Sequence, residues 1–228
     1  MRILVFQHSL DCPAGSTEIF FQQRRKGKLS LDFHLWSDGS QPLKNPADYD
    51  GLIILGGAPN VDEEDKFPWL KPEKKQIREF LTSQKPILGL CLGGQLLAEA
   101  LDAEVRRRPH PEVGWHAVEM DPQISSLVEF SPPVLEVFQW HGYEFKIPKV
   151  ARKFAGNSAS EQGFVWQDRV VGLQFHPEAT RDWILQCAED YDFPSGPLVQ
   201  NRQAIKDQIH KVAKMEDWYF HLLDRMFL

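Results

Sequence analysis

The stretch Lys85-Pro-Ile-Leu-Gly-Leu-Cys91-Leu-Gly-Gly-Gln95-Leu-Leu-Ala98 decides how the rest of the chain is read. A short apolar run, Ile87 to Leu90, leads straight into a glycine-flanked cysteine and then into a helical segment, Gly93 to Leu101. A strand that turns sharply into a helix around one reactive residue has the pattern of a nucleophile elbow. The N-terminus of the helix beside Cys91 favours the thiolate form. Gly89, Gly93 and Gly94 permit an unusual backbone and keep side chains clear of the thiol. The same residues also fit a small buried cysteine at a strand end, with glycines that serve packing alone.

Upstream of the elbow, Arg2 to Phe6, Leu29 to Trp36 and Asp50 to Leu55 read as strands, the first continuous in apolar residues in the manner of a buried parallel strand. Helical stretches fall between them, from Ser16 to about Lys26 and from about Pro72 to Ser83, where the proline suits a first helical turn. This alternation predicts an α/β fold: an open, mostly parallel twisted sheet with helices on both faces. The second half adds a small antiparallel strand set, with candidates Glu112 to Met120, Val134 to Trp140, Lys153 to Asn157, Gly163 to Gln167 and Val170 to Phe175. Two helical stretches close the chain, about Thr180 to Tyr191 and about Leu198 to Leu223. The chain thus reads as a single domain over residues 1–228 with a C-terminal helical extension from about 198, amphipathic and expected to pack on the domain. Pro122 to Pro133 reads as a crossover.

Ligands in such sheets bind beyond the carboxyl ends of the strands, and three chemical features fall there. Cys91 is the first. The second is Gly56-Gly57-Ala58-Pro59, a glycine-rich strand end able to aim a backbone amide at a developing oxyanion, with the Leu92 amide as a second donor. The third is His176-Pro177-Glu178. On an extended segment, residues two apart point the same way, so Glu178 can take a hydrogen bond from one ring nitrogen of His176 and leave the other for a thiol. Read alone, that segment is equally a turn with a solvated histidine.

Composition removes other classes. With 26 basic and 32 acidic residues the net charge is -6, which argues against general affinity for nucleic acid or anionic membranes. The basic runs Arg24-Arg25-Lys26 and Arg106-Arg107-Arg108 read as solvated ends of a helix and a strand. Three cysteines, Cys12, Cys91 and Cys187, form no disulfide framework, and the histidines and cysteines lack compact metal-ligand spacing, so neither metal nor cofactor is expected. The first residues read as a strand rather than a leader, and no run approaches a membrane span, so a cytoplasmic location is expected.

In order and spacing these segments resemble the class I, triad-type glutamine amidotransferases. Gly89-Leu-Cys91-Leu-Gly93-Gly94-Gln95 is similar to that family's nucleophile motif, His176-Pro-Glu178 to its His/Glu motif, and Gly56-Gly57-Ala-Pro to its oxyanion strand. Gly114-Trp-His, Trp140-His-Gly-Tyr-Glu-Phe and Gly172-Leu-Gln-Phe-His also follow in family order. The likeness is greatest to stand-alone proteins resembling the amidotransferase domain of GMP synthetase. The resemblance implies a flavodoxin-like amidotransferase fold and attack by Cys91 on the γ-carboxamide of glutamine, giving a glutamyl thioester and ammonia. It implies His176 as general base and acid, Glu178 as its orienter, and Gly57 and Leu92 as oxyanion donors. Gln95, His141, Gly142 and Tyr143 fall at its substrate contacts, although relatives often carry Asp where this chain has Tyr143.

No nucleotide-binding or synthetase motif accompanies these segments. Three readings follow. One is a glutaminase that passes ammonia to a separate synthetase subunit. The second is a hydrolase or transferase acting alone on γ-glutamyl amides or peptides. The third is a binding or regulatory module without turnover, against which the intact Cys91, His176 and Glu178 argue. The sequence sets no oligomeric state.

Overall fold

The computed structural model describes residues 1–23, 29–39, 41–121 and 131–228. The far end of the first helix, the Arg24-Arg25-Lys26 run and most of the expected crossover at Pro122 lie outside the described residues.

The strands of one half are β1 (Arg2–Gln7), β2 (Ser30–Leu35), β3 (Gly51–Ile54) and β4 (Ile87–Leu90). The helices between them are α1 (Ser16–Gln23) and α2 (Leu70–Thr82), and α3 (Leu92–Ala100) follows the elbow. The other half holds β5 (Val105–Met120), β6 (Val134–Phe145), β7 (Arg152–Gly156), β8 (Glu161–Trp166) and β9 (Val170–Leu173). The chain closes with α4 (Arg181–Asp190), α5 (Arg202–Asp207) and α6 (Val212–Phe227).

All these strands join one sheet in the order β2-β1-β3-β4-β9-β8-β7-β5-β6. Strands β2, β1, β3, β4 and β9 run parallel, and the remaining pairings are antiparallel. The antiparallel set is therefore a continuation of the same sheet, joined to it through β9. Because β9 pairs directly with β4, the residues after these two strands are brought side by side. The parallel sheet is covered on both faces, which is why β3, β4 and β9 are buried at every position. One face packs under α1, α4 and α6, with Phe20, Ile184, Trp218 and Leu222 in the core. The other packs under α2 and α3, through Ile77, Phe80, Leu96 and Leu97.

Strands β5 and β6 and the last helix differ from the sequence reading, with β6 running on to Phe145 past the expected Trp140. Strand β5 begins at Val105, ahead of the expected Glu112. Pro109 and Pro111 supply no N–H to a ladder, so the strand continues past them through an irregular register between Arg107 and Glu112. Arg108 is correspondingly buried: its guanidinium lies 3.2 Å from Glu144 and 3.3 Å from Glu112, so it is not part of a solvated basic run. The expected last helix is broken. Asn201 caps α5 by accepting from the Ala204 N–H, and a 3₁₀ turn, Ile209–Lys211, separates α5 from α6. Helix α6 then buries Met215, Trp218, Tyr219, Leu222 and Leu223 against the sheet.

Candidate active site

Cys91 stands between β4 and α3 with φ 49° and ψ -106°, a conformation that disfavours any residue with a side chain. Two contacts hold it there. Its N–H donates to the Leu173 carbonyl at 2.9 Å, and its own carbonyl accepts from the Gln95 N–H at 3.0 Å to start the helix. The first turn of α3 presses onto two neighbouring strands. A Cβ on Gly93 would lie 2.2 Å from the Ile54 carbonyl oxygen, and one on Gly94 would lie 2.4 Å from that of Leu173. Only glycine permits this approach, so the glycines that follow Cys91 set the depth at which α3 seats.

His176 leaves the end of β9, its backbone N–H tied to the Phe138 carbonyl of β6 at 2.9 Å. Its Nδ1 lies 2.8 Å from Glu178 Oε1, and both side chains are almost fully buried. The imidazole is set beside Cys91 across the Gly56 backbone, and the Cys91 Sγ lies 4.0 Å from the Trp140 carbonyl oxygen. Burial opposes protonation of His176, but the neighbouring Cys91 and Glu178 outweigh it and raise the imidazole well above its usual range. The expected contact between His176 and Glu178 is present, but it is made across a turn, closed by the Ala179 N–H donating to the His176 carbonyl at 3.2 Å, and not along the extended segment expected from the sequence.

Gly56 and Gly57 follow β3 on the same side. A Cβ on Gly56 would meet His176 Cε1 at 2.8 Å and the Cys91 Cβ at 3.6 Å, so this backbone passes directly beside the thiol and the imidazole. Among the described residues, no backbone carbonyl accepts from the Gly57 N–H or the Leu92 N–H outside the helix ladder. Gln95 is buried on the first turn of α3, its amide 3.3 Å from Gln174 Oε1 and 3.4 Å from the Tyr143 carbonyl. Gln174, two residues before His176, points its own amide at Cys91 Sγ, 3.9 Å away. The sequence reading passed over Gln174, which lies just past the end of β9.

Two hollows open onto Cys91. A cleft of about 780 Å³ is bounded by Gly57, Leu92, Gln95, Arg107, Trp140 and the β6 residues His141-Gly142-Tyr143. A smaller hollow of about 110 Å³ lies on the His176 side and is bounded by Cys12, Trp140, Trp183, Cys187 and Tyr191. His141 carries little free polarity into the cleft. Its Nδ1–H donates to the Tyr143 carbonyl at 2.8 Å, and Nε2 lies at an ion-pair distance of 3.2 Å from Glu112. Burial lowers the His141 pKa despite that carboxylate. Burial alone would raise Glu112, but contacts from His141, Asn157 and Ser160 hold it down at about 2. This buried cluster ties His141 of β6 to Glu112 of β5. At the rim, the Tyr143 hydroxyl lies 3.4 Å from Asp62 and links β6 to the acidic loop after β3. Among the described residues no cluster of three or more metal-ligating side chains is present, and no helix is long and apolar enough to cross a membrane.

Residues 8–182 match the family model for glutamine amidotransferase class-I. The chain is 33% identical over 141 residues to a glutamine-hydrolyzing GMP synthase subunit of Sulfurisphaera tokodaii, covering 60% of this chain and 72% of that one. It is 34% identical over 136 residues to the corresponding protein of Thermoplasma acidophilum, covering 57% of this chain and 63% of that one. Among solved structures, a glutamine amidotransferase from Thermotoga maritima superimposes with a TM-score of 0.86 at 30% identity, over 99% of this chain and 97% of the other. The chain belongs to the class I glutamine amidotransferase family.

Proposed function

We propose that the chain hydrolyses a γ-glutamyl amide through a glutamyl thioester on Cys91. The observation that carries this reading is the placement of His176, fixed on Glu178 at 2.8 Å and set beside Cys91 across the Gly56 backbone. Cys91 gives its proton to His176, and its sulfur attacks the γ-carbonyl carbon. The oxyanion that forms takes hydrogen bonds from the Gly57 and Leu92 N–H groups. Collapse of the tetrahedral intermediate breaks the C–N bond, and His176 returns the proton to the departing nitrogen. Water then attacks the thioester, with His176 as base, and releases glutamate and the free thiol. Gln95 and residues 141–143 of β6 hold the glutamyl end within the larger cleft. The reaction needs no cofactor.

Glutamine is the first candidate substrate, with ammonia released. The names of the archaeal relatives describe them as subunits of a glutamine-hydrolyzing synthase. A separate synthetase subunit is the corresponding partner for this chain, and would accept its ammonia. A second reading is favoured by the hollow on the His176 side. Ammonia needs no aromatic walls, yet Trp140, Trp183 and Tyr191 line this space next to the group that protonates the leaving nitrogen. A γ-glutamyl peptide or amide with a substituent on that nitrogen would fill it.

Purified protein incubated with glutamine, and separately with γ-glutamyl dipeptides, separates the two readings. Release of glutamate from glutamine at a kcat/KM equal to or above that from dipeptides supports ammonia production. Release from dipeptides alone rejects it. Release from neither rejects the catalytic reading.

A further inference from the structure

The catalytic sequence proposed above leaves one buried ionic pair without a task. His8 follows the end of β1, at the same carboxyl edge of the sheet as Cys91 and His176. Its side chain and that of Glu73, on α2, are both fully buried. His8 Nε2 lies 2.9 Å from Glu73 Oε1, and Nδ1 lies 2.8 Å from the Gly56 carbonyl oxygen. Trp69 stacks on the imidazole with ring centres 5.5 Å apart and an interplanar angle of 23°.

A carbonyl oxygen can only accept, so Nδ1 of His8 carries a hydrogen and donates it to Gly56. The Gly56 carbonyl and the Gly57 N–H belong to one peptide unit. In a trans peptide they point in opposite directions, and no cis bond occurs among the described residues. Drawing the carbonyl onto His8 therefore turns the Gly57 N–H away from His8, into the cavity that Gly57 shares with Cys91. A Cβ on Gly57 would sit 2.8 Å from the His8 Cβ, so the imidazole also walls that side of the loop. A free glycine pair samples many peptide orientations; this one is fixed by a hydrogen bond from a ring that is itself clamped by a carboxylate and an indole.

We propose that His8, held by Glu73, is a positioning residue that fixes the Gly56–Gly57 peptide with its N–H facing the oxyanion, so that the oxyanion hole stands assembled without a partner chain. The proposal rests on the γ-glutamyl hydrolase reading and adds a consequence to it: the chain turns over alone. His8 touches neither thiol nor imidazole. Its effect is on a group needed only when negative charge develops, so it acts on kcat rather than on KM.

The test compares the full chain with His8→Gln, His8→Asn and Glu73→Gln, using whichever of glutamine or a γ-glutamyl dipeptide the wild type hydrolyses, with no partner added. An asparagine amide can reach the Gly56 carbonyl as Nδ1 does, whereas a glutamine amide reaches toward Glu73 instead. His8→Gln is expected to lower kcat about 10²-fold with KM within about threefold, the scale of losing one oxyanion donor. His8→Asn is expected to regain most of that loss. The rate of Cys91 alkylation by iodoacetamide should stay within about twofold in both, since displacement of iodide forms no oxyanion. Equal kcat in the wild type and His8→Gln, or an equal fall in His8→Gln and His8→Asn, overturns the positioning role while leaving the hydrolase reading intact. If His8→Gln does not fold, Glu73→Gln decides: a lower kcat at unchanged KM supports the proposal, and an unchanged kcat overturns it. A wild type that hydrolyses no γ-glutamyl amide rejects the functional reading and this consequence together.

Discussion

Replacing Glu178 with glutamine removes one negative charge from a buried contact and leaves an oxygen in place to accept from His176 Nδ1. The perturbation is electrostatic rather than steric, because the two side chains are nearly isosteric. His176 and Glu178 side chains are 7% and 6% exposed, so solvent screens the pair little. Two unit charges about 4 Å apart interact by about 4 kcal/mol at the effective dielectric that describes such sites. Each 1.4 kcal/mol is a factor of ten in rate, and the amide dipole recovers part of the loss, so kcat should fall about 10²- to 10³-fold. The pH profile gives the sign. Glu178 helps to hold the His176 proton above the usual histidine range, so the wild type keeps an imidazolium to higher pH. In Glu178→Gln the alkaline limb of kcat should move to lower pH by about one unit or more, the scale of losing an adjacent opposite charge. Steady-state glutamate release across pH measures both effects. A kcat within threefold of wild type, or an unmoved alkaline limb, would refute the claim that this carboxylate sets the state of the base.

Three further outcomes follow from the same contacts. Burial raises the Cys12 thiol and pushes Cys187 up to about 12, so brief iodoacetamide treatment at neutral pH should carboxamidomethylate Cys91 alone; comparable labelling of Cys187 by peptide mapping would contradict this. Gly94→Ala should lose about 1–3 kcal/mol in urea unfolding, the usual cost of overpacking, because its Cβ would strike the Leu173 backbone; unchanged stability would mean that α3 is not seated as described. Glu112 has its ordinary value near 4.5 in the unfolded chain and about 2 when folded, so its contribution is complete above the first value and disappears as pH falls through the second. The wild type should therefore lose stability across that window and Glu112→Gln should lose less; parallel acid titrations of the two proteins would argue against the buried cluster.

The parallel half of the fold was legible because β1, β3 and β4 are buried along most of their length and carry their pattern locally. The elbow was legible for a related reason: the glycines after Cys91 are demanded by backbone contacts with β3 and β9. His176 and Glu178 are only two residues apart, so their pairing is local, although the structure makes it across a turn closed by the Ala179 N–H on the His176 carbonyl rather than along an extended segment. What escaped the sequence depends on long-range contacts. His8 and Glu73 are 65 positions apart, and nothing near either residue signals the other. Arg108 sits in a run of three arginines, which reads as solvated until Glu112 and Glu144 are seen around it. The start of β5 was hidden by prolines that a bulged hairpin accommodates. The break before α6 follows from the capping and tight turn near Gln208, which an amphipathic pattern passes over.

The central claim is that Cys91 carries the glutamyl group. Rapid acid quenching of wild type with its substrate, followed by intact-mass and peptide mass spectrometry, tests it most directly. The account predicts a glutamyl adduct on the peptide containing Cys91, lost on treatment with hydroxylamine and absent from Cys91→Ala, which releases no glutamate. An adduct on Cys12 or Cys187, or glutamate release by Cys91→Ala at the wild-type rate, would contradict it.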